Sequence, residues 1–189
     1  MPAAFSVYLD TGGTDNSPGT STDIDALGPP ALRFKQADNP TIDSNDPMPI
    51  TAATTEYSRW KQIYLLCDTA PDTQVDNIRF FTDGGGFGTG ITVNHGDEFP
   101  LHSAAVTTGY DVSDANEVMT NHTDITAVTD AFTRTSGSPL TGPTISEAGS
   151  IINAISETTN YLVLQMLVID TASPGNLTNE PFTFSYDEI

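Results

Sequence analysis

Apolar residues along this chain fall into short runs with a period of two. Long polar stretches bearing proline and glycine separate the runs. Such alternation predicts β-strands that bury one face. Phe5, Val7 and Leu9 share a face in FSVYL and predict a strand over 5–9. Leu32 and Phe34 alternate with Arg33 and Lys35 and predict another. The first long strand spans 57–67, with Ile63, Leu65 and Cys67 on one face and Tyr64 and Leu66 on the other. Both faces are apolar near its end, which predicts a central strand. Further strands are predicted over 78–82 and 91–93. Residues 161–170, YLVLQMLVID, are apolar on both faces and predict a core strand. Phe182, Phe184 and Tyr186 alternate with Thr183 and Ser185 in a closing strand.

Between these runs the pattern is weaker. Residues 10–30 are Gly, Ser, Thr, Pro and Asp with almost nothing to bury, and read as an extended or flexible connector. A strand cut off by such a linker is a candidate arm, pairing with its own sheet or with a neighbouring subunit. Pro40, Pro47 and Pro49 predict a loop after Lys35. Residues 96–145 carry scattered apolar anchors, Val118, Ile125, Val128 and Phe132, and predict a long excursion with one helical turn or small strands. Ser113 to Glu117 would cap such a turn. Residues 151–155 predict a strand, with a helix over 147–158 as the rival; Gly149 and the Thr158–Thr159 pair disfavour the helix. Seven or eight short runs, with strands at both ends, predict an all-β fold. The expected form is an antiparallel β-sandwich, jelly-roll-like, with an N-terminal extended arm over 1–31 and a sandwich domain over 32–189.

Composition sharpens this picture. The 37% of hydrophobic residues is below the usual ~45–50% for globular domains, so the deficit sits in loops and tails. With 25 acidic and 6 basic residues the formal net charge is −19. Such a surface repels nucleic acid and anionic membranes, and suits cations, basic partner surfaces or a high-salt medium. In strong salt the self-repulsion is screened, so a halophilic host is one reading and a virion or secreted protein with an acidic face is the other. Cys67 is the only cysteine, which excludes an internal disulfide and reads as a small buried hydrophobe. Residues 1–4, MPAA, show no leader pattern, and no run approaches the ~20 apolar residues of a membrane helix. The expectation is a soluble chain made in a cytoplasm.

Candidate chemistry is sparse. Asp10-Thr11-Gly12 matches the aspartic-protease tripeptide, in which two carboxylates share a proton. The rival reading is an Asp at a strand-to-turn junction. The glycine-dense stretch 84–90 lacks the Lys and the following helix of a phosphate loop and reads as a hairpin. Phe87 within it is a candidate partner-contact residue, or it folds back on its own domain. Acidic groups at Asp10, Asp15, Asp23 and Asp25, at Asp38, Asp43 and Asp46, and at Asp68, Asp72 and Asp76 match no calcium-loop spacing. No cofactor is therefore expected, and a bound Ca2+ or other cation would be adventitious. His95, His102 and His122 have no metal-ligand spacing. Asn121-His122-Thr123 and Asn176-Leu177-Thr178 fit the glycosylation pattern, which without a secretory leader reads as chance. Five of the six basic residues lie between Arg33 and Arg79. Arg33 and Lys35 share a face, as do Arg59 and Lys61, so two neighbouring strands would form a basic stripe. That stripe would dock an acidic partner, or pair across strands with surrounding Asp residues.

LRFKQAD, YSRWKQIYLLCDTAP, NIRFFTDGGGFGTG and YLVLQMLVIDTASPG, with the YDEI end, resemble small virion structural proteins of tailed bacteriophages and related archaeal viruses. That group includes head-decoration and cement proteins of β-sandwich or jelly-roll form, and tail-associated modules. The resemblance covers residues 32–189 and transfers no site residues. It implies a non-enzymatic capsid decoration or cement protein that docks on the major capsid protein or other virion subunits and stabilises the shell. It further implies a homo-oligomer located in the virion, assembled in the host cytoplasm, with no nucleic-acid or membrane partner. The alternatives are a tail- or fibre-associated module recognising a carbohydrate or receptor through Phe87 or Tyr110, and a dimeric aspartic protease.

Overall fold

Alternating β-branched and aromatic side chains give the described residues nine strands and no helix longer than a single 3-10 turn. The computed structural model describes residues 2–14, 17–28, 32–41, 47–96, 118–121, 125, 127–141 and 152–189. The strands are β1 Ala4–Thr14, β2 Ser17–Asp23, β3 Glu56–Tyr57, β4 Lys61–Thr69, β5 Val75–Thr82, β6 Ile91–Gly96, β7 Val128–Asp130, β8 Leu162–Val168 and β9 Phe182–Glu188. One-turn 3-10 segments lie at Asp25–Leu27, Met119–Asn121 and Ala131–Thr133. Every strand pairing is antiparallel. The fold is all-β, as the alternation predicted.

A large sheet runs β2-β1-β4-β8-β6-β7, and a small sheet pairs β5 with β9. β3 and β4 follow one another along a single edge of β8, through Tyr57 opposite Leu167 and Lys61 opposite Leu164. Ser58 bridges the gap between them. Its N–H donates to the Met166 carbonyl at 2.9 Å, and its hydroxyl accepts from the Met166 N–H at 2.9 Å. A hydroxyl thus stands in for a missing carbonyl, and no buried N–H is orphaned at the join.

Several expectations change. The connector expected over 10–30 contains a strand hairpin: β1 continues to Thr14 and β2 returns antiparallel beside it, Tyr8 opposite Asp23. β1 also pairs with β4, Val7 opposite Leu65, and Leu9 and Ile24 join the core, so these residues belong to the large sheet. Residues 32–35 are irregular rather than a strand. The glycine loop 84–90 is not a hairpin, because β5 and β6 lie in different sheets and the loop carries the chain between them. Gly90 is required there. It has φ +78°, and a Cβ would sit 2.4 Å from the Ala172 nitrogen. Of the strand expected over 151–155, Ile152 forms a lone bridge to Val75. Residues 113–117 and 147–151, on which the cap and part of the rival helix fall, lie outside the described residues.

Both faces of the large sheet are buried. On the front, Ile63, Leu164, Met166, Val168 and Val93 meet Phe80 of the small sheet, with Phe182 and Phe184 packed alongside. The front is sealed at one end by Leu65, Cys67, Val75, Ile78 and Ile152, and by Phe5 against Tyr186 at 4.8 Å. On the back, Trp60, Tyr64, Tyr161 and Val163 pack with Met119 and Ile125 from the expected excursion. Alternation puts successive residues of β4 and β8 on opposite faces, which is why Ile63 to Cys67 and most of Leu162–Val168 are apolar on both.

Candidate functional site

The front face away from that sealed end holds a cavity of about 1190 Å3. Val7, Ile63, Met166 and Val168 of the large sheet form one wall, and Phe182 and Phe184 of the small sheet stand across from them. Irregular segments around 32–35, 47–50 and 173–181 complete the lining. Three of the five candidate partner residues, Arg33, Lys35 and Phe87, line this one cavity.

Their exposure differs from the expected docking stripe. Arg33 is exposed, but Lys35 is 3% exposed and Lys61 is fully buried. The two segments are neighbours, as the stripe required: the Arg59 N–H donates to the Lys35 carbonyl at 2.8 Å, and Arg59 Nε reaches the Gln36 carbonyl at 3.4 Å. The lysines nevertheless point inward. Lys35 Nζ donates to Asn39 Oδ1 and to the Thr41 carbonyl at 2.8 Å. Lys61 lies on the front face of β4 with Ile63, and its Nζ has no hydrogen-bond partner among the described residues. Burial drives its pKa down to about 8; Asp38 opposes this, while Lys35 and Arg59 add to it. The outer basic stripe is therefore reduced to Arg33 and the half-buried Arg59. Phe87 is half-buried, not an exposed tip, and meets Phe132 edge-on at 5.6 Å.

The protease tripeptide has a structural role. Asp10 sits mid-strand, paired to Ser21 on one side and Gln62 on the other, and is 2% exposed. On the back face its carboxylate accepts from the Ser21 hydroxyl and the Tyr161 hydroxyl. Tyr8 stacks on Tyr64, and Tyr64 meets Tyr161 edge-on, each at 5.6 Å. Burial, then the Asp10 contact, raises the Tyr161 pKa; burial pushes Tyr64 up to about 12 against a lowering bond from Ser21. The Asp10 carboxylate is thus enclosed by its own sheet and turned to the back face.

The remaining candidates resolve similarly. Cys67 is fully buried, and burial, followed by Glu157 and Asp68, raises its thiol pKa. His95 is buried, its Nδ1 2.8 Å from the Gly96 carbonyl, and Arg134 Nε donates to its Nε2 at 3.0 Å. Asp68 accepts from the Ser6 hydroxyl at 2.6 Å, and Asp25 from the Val7 N–H at 2.9 Å. Among the described residues no group of three or more His, Cys, Asp or Glu is placed to hold a metal. Asp15, Asp43, Asp46, His102, Tyr110 and His122 lie outside the described residues. No described helix is long and apolar enough to cross a membrane. Sequence reasoning missed the cavity and the Asp10–Tyr161 contact. The first depends on two sheets diverging, and the second joins residues 151 positions apart. Comparison with protein-family models, with curated proteins and with solved structures found no match.

Proposed function

We propose that this chain is a non-enzymatic structural protein of a virus particle, a decoration or cement subunit that docks on the capsid shell through β9. The observation carrying this reading is the open edge of the small sheet. Among the described residues no strand pairs with the outer edge of β9, and its Phe182, Phe184 and Tyr186 are only half-buried. An unpaired strand edge is a template for strand addition, which natural monomers blunt with Pro, Lys or a bulge. Phe182–Glu188 contains neither Pro nor Lys, and the one register shift in its ladder falls between Asp76 and Arg79 of β5 rather than in β9. A subunit of the shell supplying one strand would complete the sheet, with main-chain bonds giving affinity and side-chain pockets giving register. The net charge of −19 suits a medium salty enough to let copies sit side by side, consistent with a halophilic host and a homo-oligomeric array.

Mass spectrometry of purified particles tests the assignment directly. The expected result is a copy number that matches lattice symmetry, and absence from particles sinks it. Edge-strand chemistry supplies a finer test. Thr183→Lys with Ser185→Lys should release the protein from particles while leaving its unfolding free energy in urea within about 0.5 kcal/mol.

A further inference from the structure

We propose that the front cavity is a binding site for a single-chain anionic amphiphile, a fatty-acid-like carboxylate whose tail lies between the sheets and whose head meets Arg33. This goes beyond the docking reading, since the cavity is lined by side-chain faces and the proposed docking uses the main-chain edge of β9. Four observations carry it. The volume, about 1190 Å3, exceeds the ~300–1,000 Å3 of most small-molecule sites, and so accommodates a hydrocarbon chain. The long walls are apolar side chains from two sheets: Val7, Ile63, Met166 and Val168 across from Phe182 and Phe184.

The third observation concerns what those walls lack. A peptide entering between sheet faces brings an amide every ~3.3 Å, and each buried amide needs a partner. Side-chain walls offer few such partners, whereas a hydrocarbon needs none. The fourth is charge. On a chain of net charge −19, Arg33 and Lys35 both line this cavity. Among the described residues Arg33 forms no ion pair, and Lys35 is held by two neutral oxygens. Asp25 and Glu180 also line the cavity and match its two cations in number, but among the described residues neither forms an ion pair with Arg33 or Lys35. An anionic head at Arg33 is the complement this arrangement lacks.

Isothermal titration of the full chain with octanoate, decanoate and dodecanoate below their micelle concentrations provides the test, with dodecyltrimethylammonium as the oppositely charged control. Expected is saturable binding that tightens about fourfold per added methylene. Dodecanoate should be preferred over the cationic amphiphile despite the acidic surface. Arg33→Glu, at an exposed position, should weaken dodecanoate on the order of tenfold and leave the urea midpoint unchanged. Val168→Phe, which narrows the cavity from β8, should weaken binding of both probes. The proposal is overturned if dodecanoate fails to bind, if the cationic probe binds as well, or if neither substitution changes its affinity. Any of these would leave docking through β9 untouched, because the particle assay reads that independently.

Discussion

The two faces of the large sheet are built from the same strands and solve burial in opposite ways. The back face encloses polar groups held by directed partners, Asp10 by Ser21 and Tyr161, and Gln165 by the Ser58 carbonyl and the Met119 N–H. The front face is almost wholly aliphatic and aromatic, yet it holds the cavity. The difference follows from the forces. An unsatisfied buried hydrogen-bonding group costs about 1–3 kcal/mol, so a polar core must close tightly around each atom. Apolar contacts are individually small and non-directional, so an apolar face tolerates an opening provided the rest of its area stays dry.

The largest expected effect separates the faces by truncation. Tyr161→Ala removes a fully buried ring and strands Asp10, and should cost about 4 kcal/mol in urea unfolding. Met48→Ala, half-buried against the front cluster, should cost less than about 1 kcal/mol. Equal losses would break the contrast. Tyr161→Phe isolates the polar part, with an expected cost of about 1–3 kcal/mol.

Next is the one front-face group that behaves as though it belonged behind. Lys61→Met should stabilise the chain by about 1–2 kcal/mol at pH 7, because it removes a buried ammonium without a hydrogen bond. The sign with pH is fixed by the direction of the shift. The folded pKa, about 8, lies below the ordinary 10.5, so the unfolded chain binds more protons between those values. Native stability thus gains as pH rises through that window, and the advantage of Lys61→Met should fade there. An advantage that persists undiminished at pH 10.5 would show that the charge is not its source.

The back-face tyrosines shift the other way. Their raised values mean that the folded form keeps protons the unfolded chain releases above pH 10. Stability should be intact below pH 10 and decline from there towards about 12, with Tyr64→Phe declining less steeply than the parent. Denaturation midpoints from pH 9 to 11 read this out. The smallest effect is on the front: Val168→Phe should leave stability within about 1 kcal/mol, since the added ring enters open space. A penalty of about 1–3 kcal/mol, the usual cost of overpacking, would mean that wall has no room.

The strands that bury a face were legible in the sequence, and those that do not were hidden. β4, β5, β6, β8 and β9 appear where alternation or a continuous apolar run placed them. β2, with the sequence SPGTSTD, is an edge strand whose only neighbour among the described residues is β1, so nothing there forces an apolar residue into it. Residues 32–35 show the reverse failure. Their alternation is real, but Lys35 is drawn inward by Asn39 and Thr41, and the segment runs beside the cavity without joining a ladder. For the candidate site, the sequence offered a stripe of Arg33, Lys35, Arg59 and Lys61 on the condition that two segments are neighbours, and the Arg59–Lys35 main-chain bond makes those segments neighbours. It could not show which of them face inward, because for Lys35 that depends on how the loop to Asn39 and Thr41 folds back on it. The match of Asp10-Thr11-Gly12 to a catalytic tripeptide was a coincidence of three residues. Burial is decided by partners far along the chain, Tyr161 above all.

The pairing of β4 with β8 has a temporal consequence. Lys61 lies opposite Leu164, and Val75 of β5 lies opposite Glu188 of β9, so the central ladders join residues about a hundred positions apart. Closing such loops loses chain entropy before any contact rewards it, which places folding in the slow, millisecond-to-second range of β-rich topologies. Until β8 and β9 leave the ribosome, β4 has only β1 beside it and β5 lacks its ladder partner. The nascent chain therefore waits with its most aggregation-prone segments uncovered, and the dense negative charge carried by its loops is what keeps neighbouring chains apart during that interval.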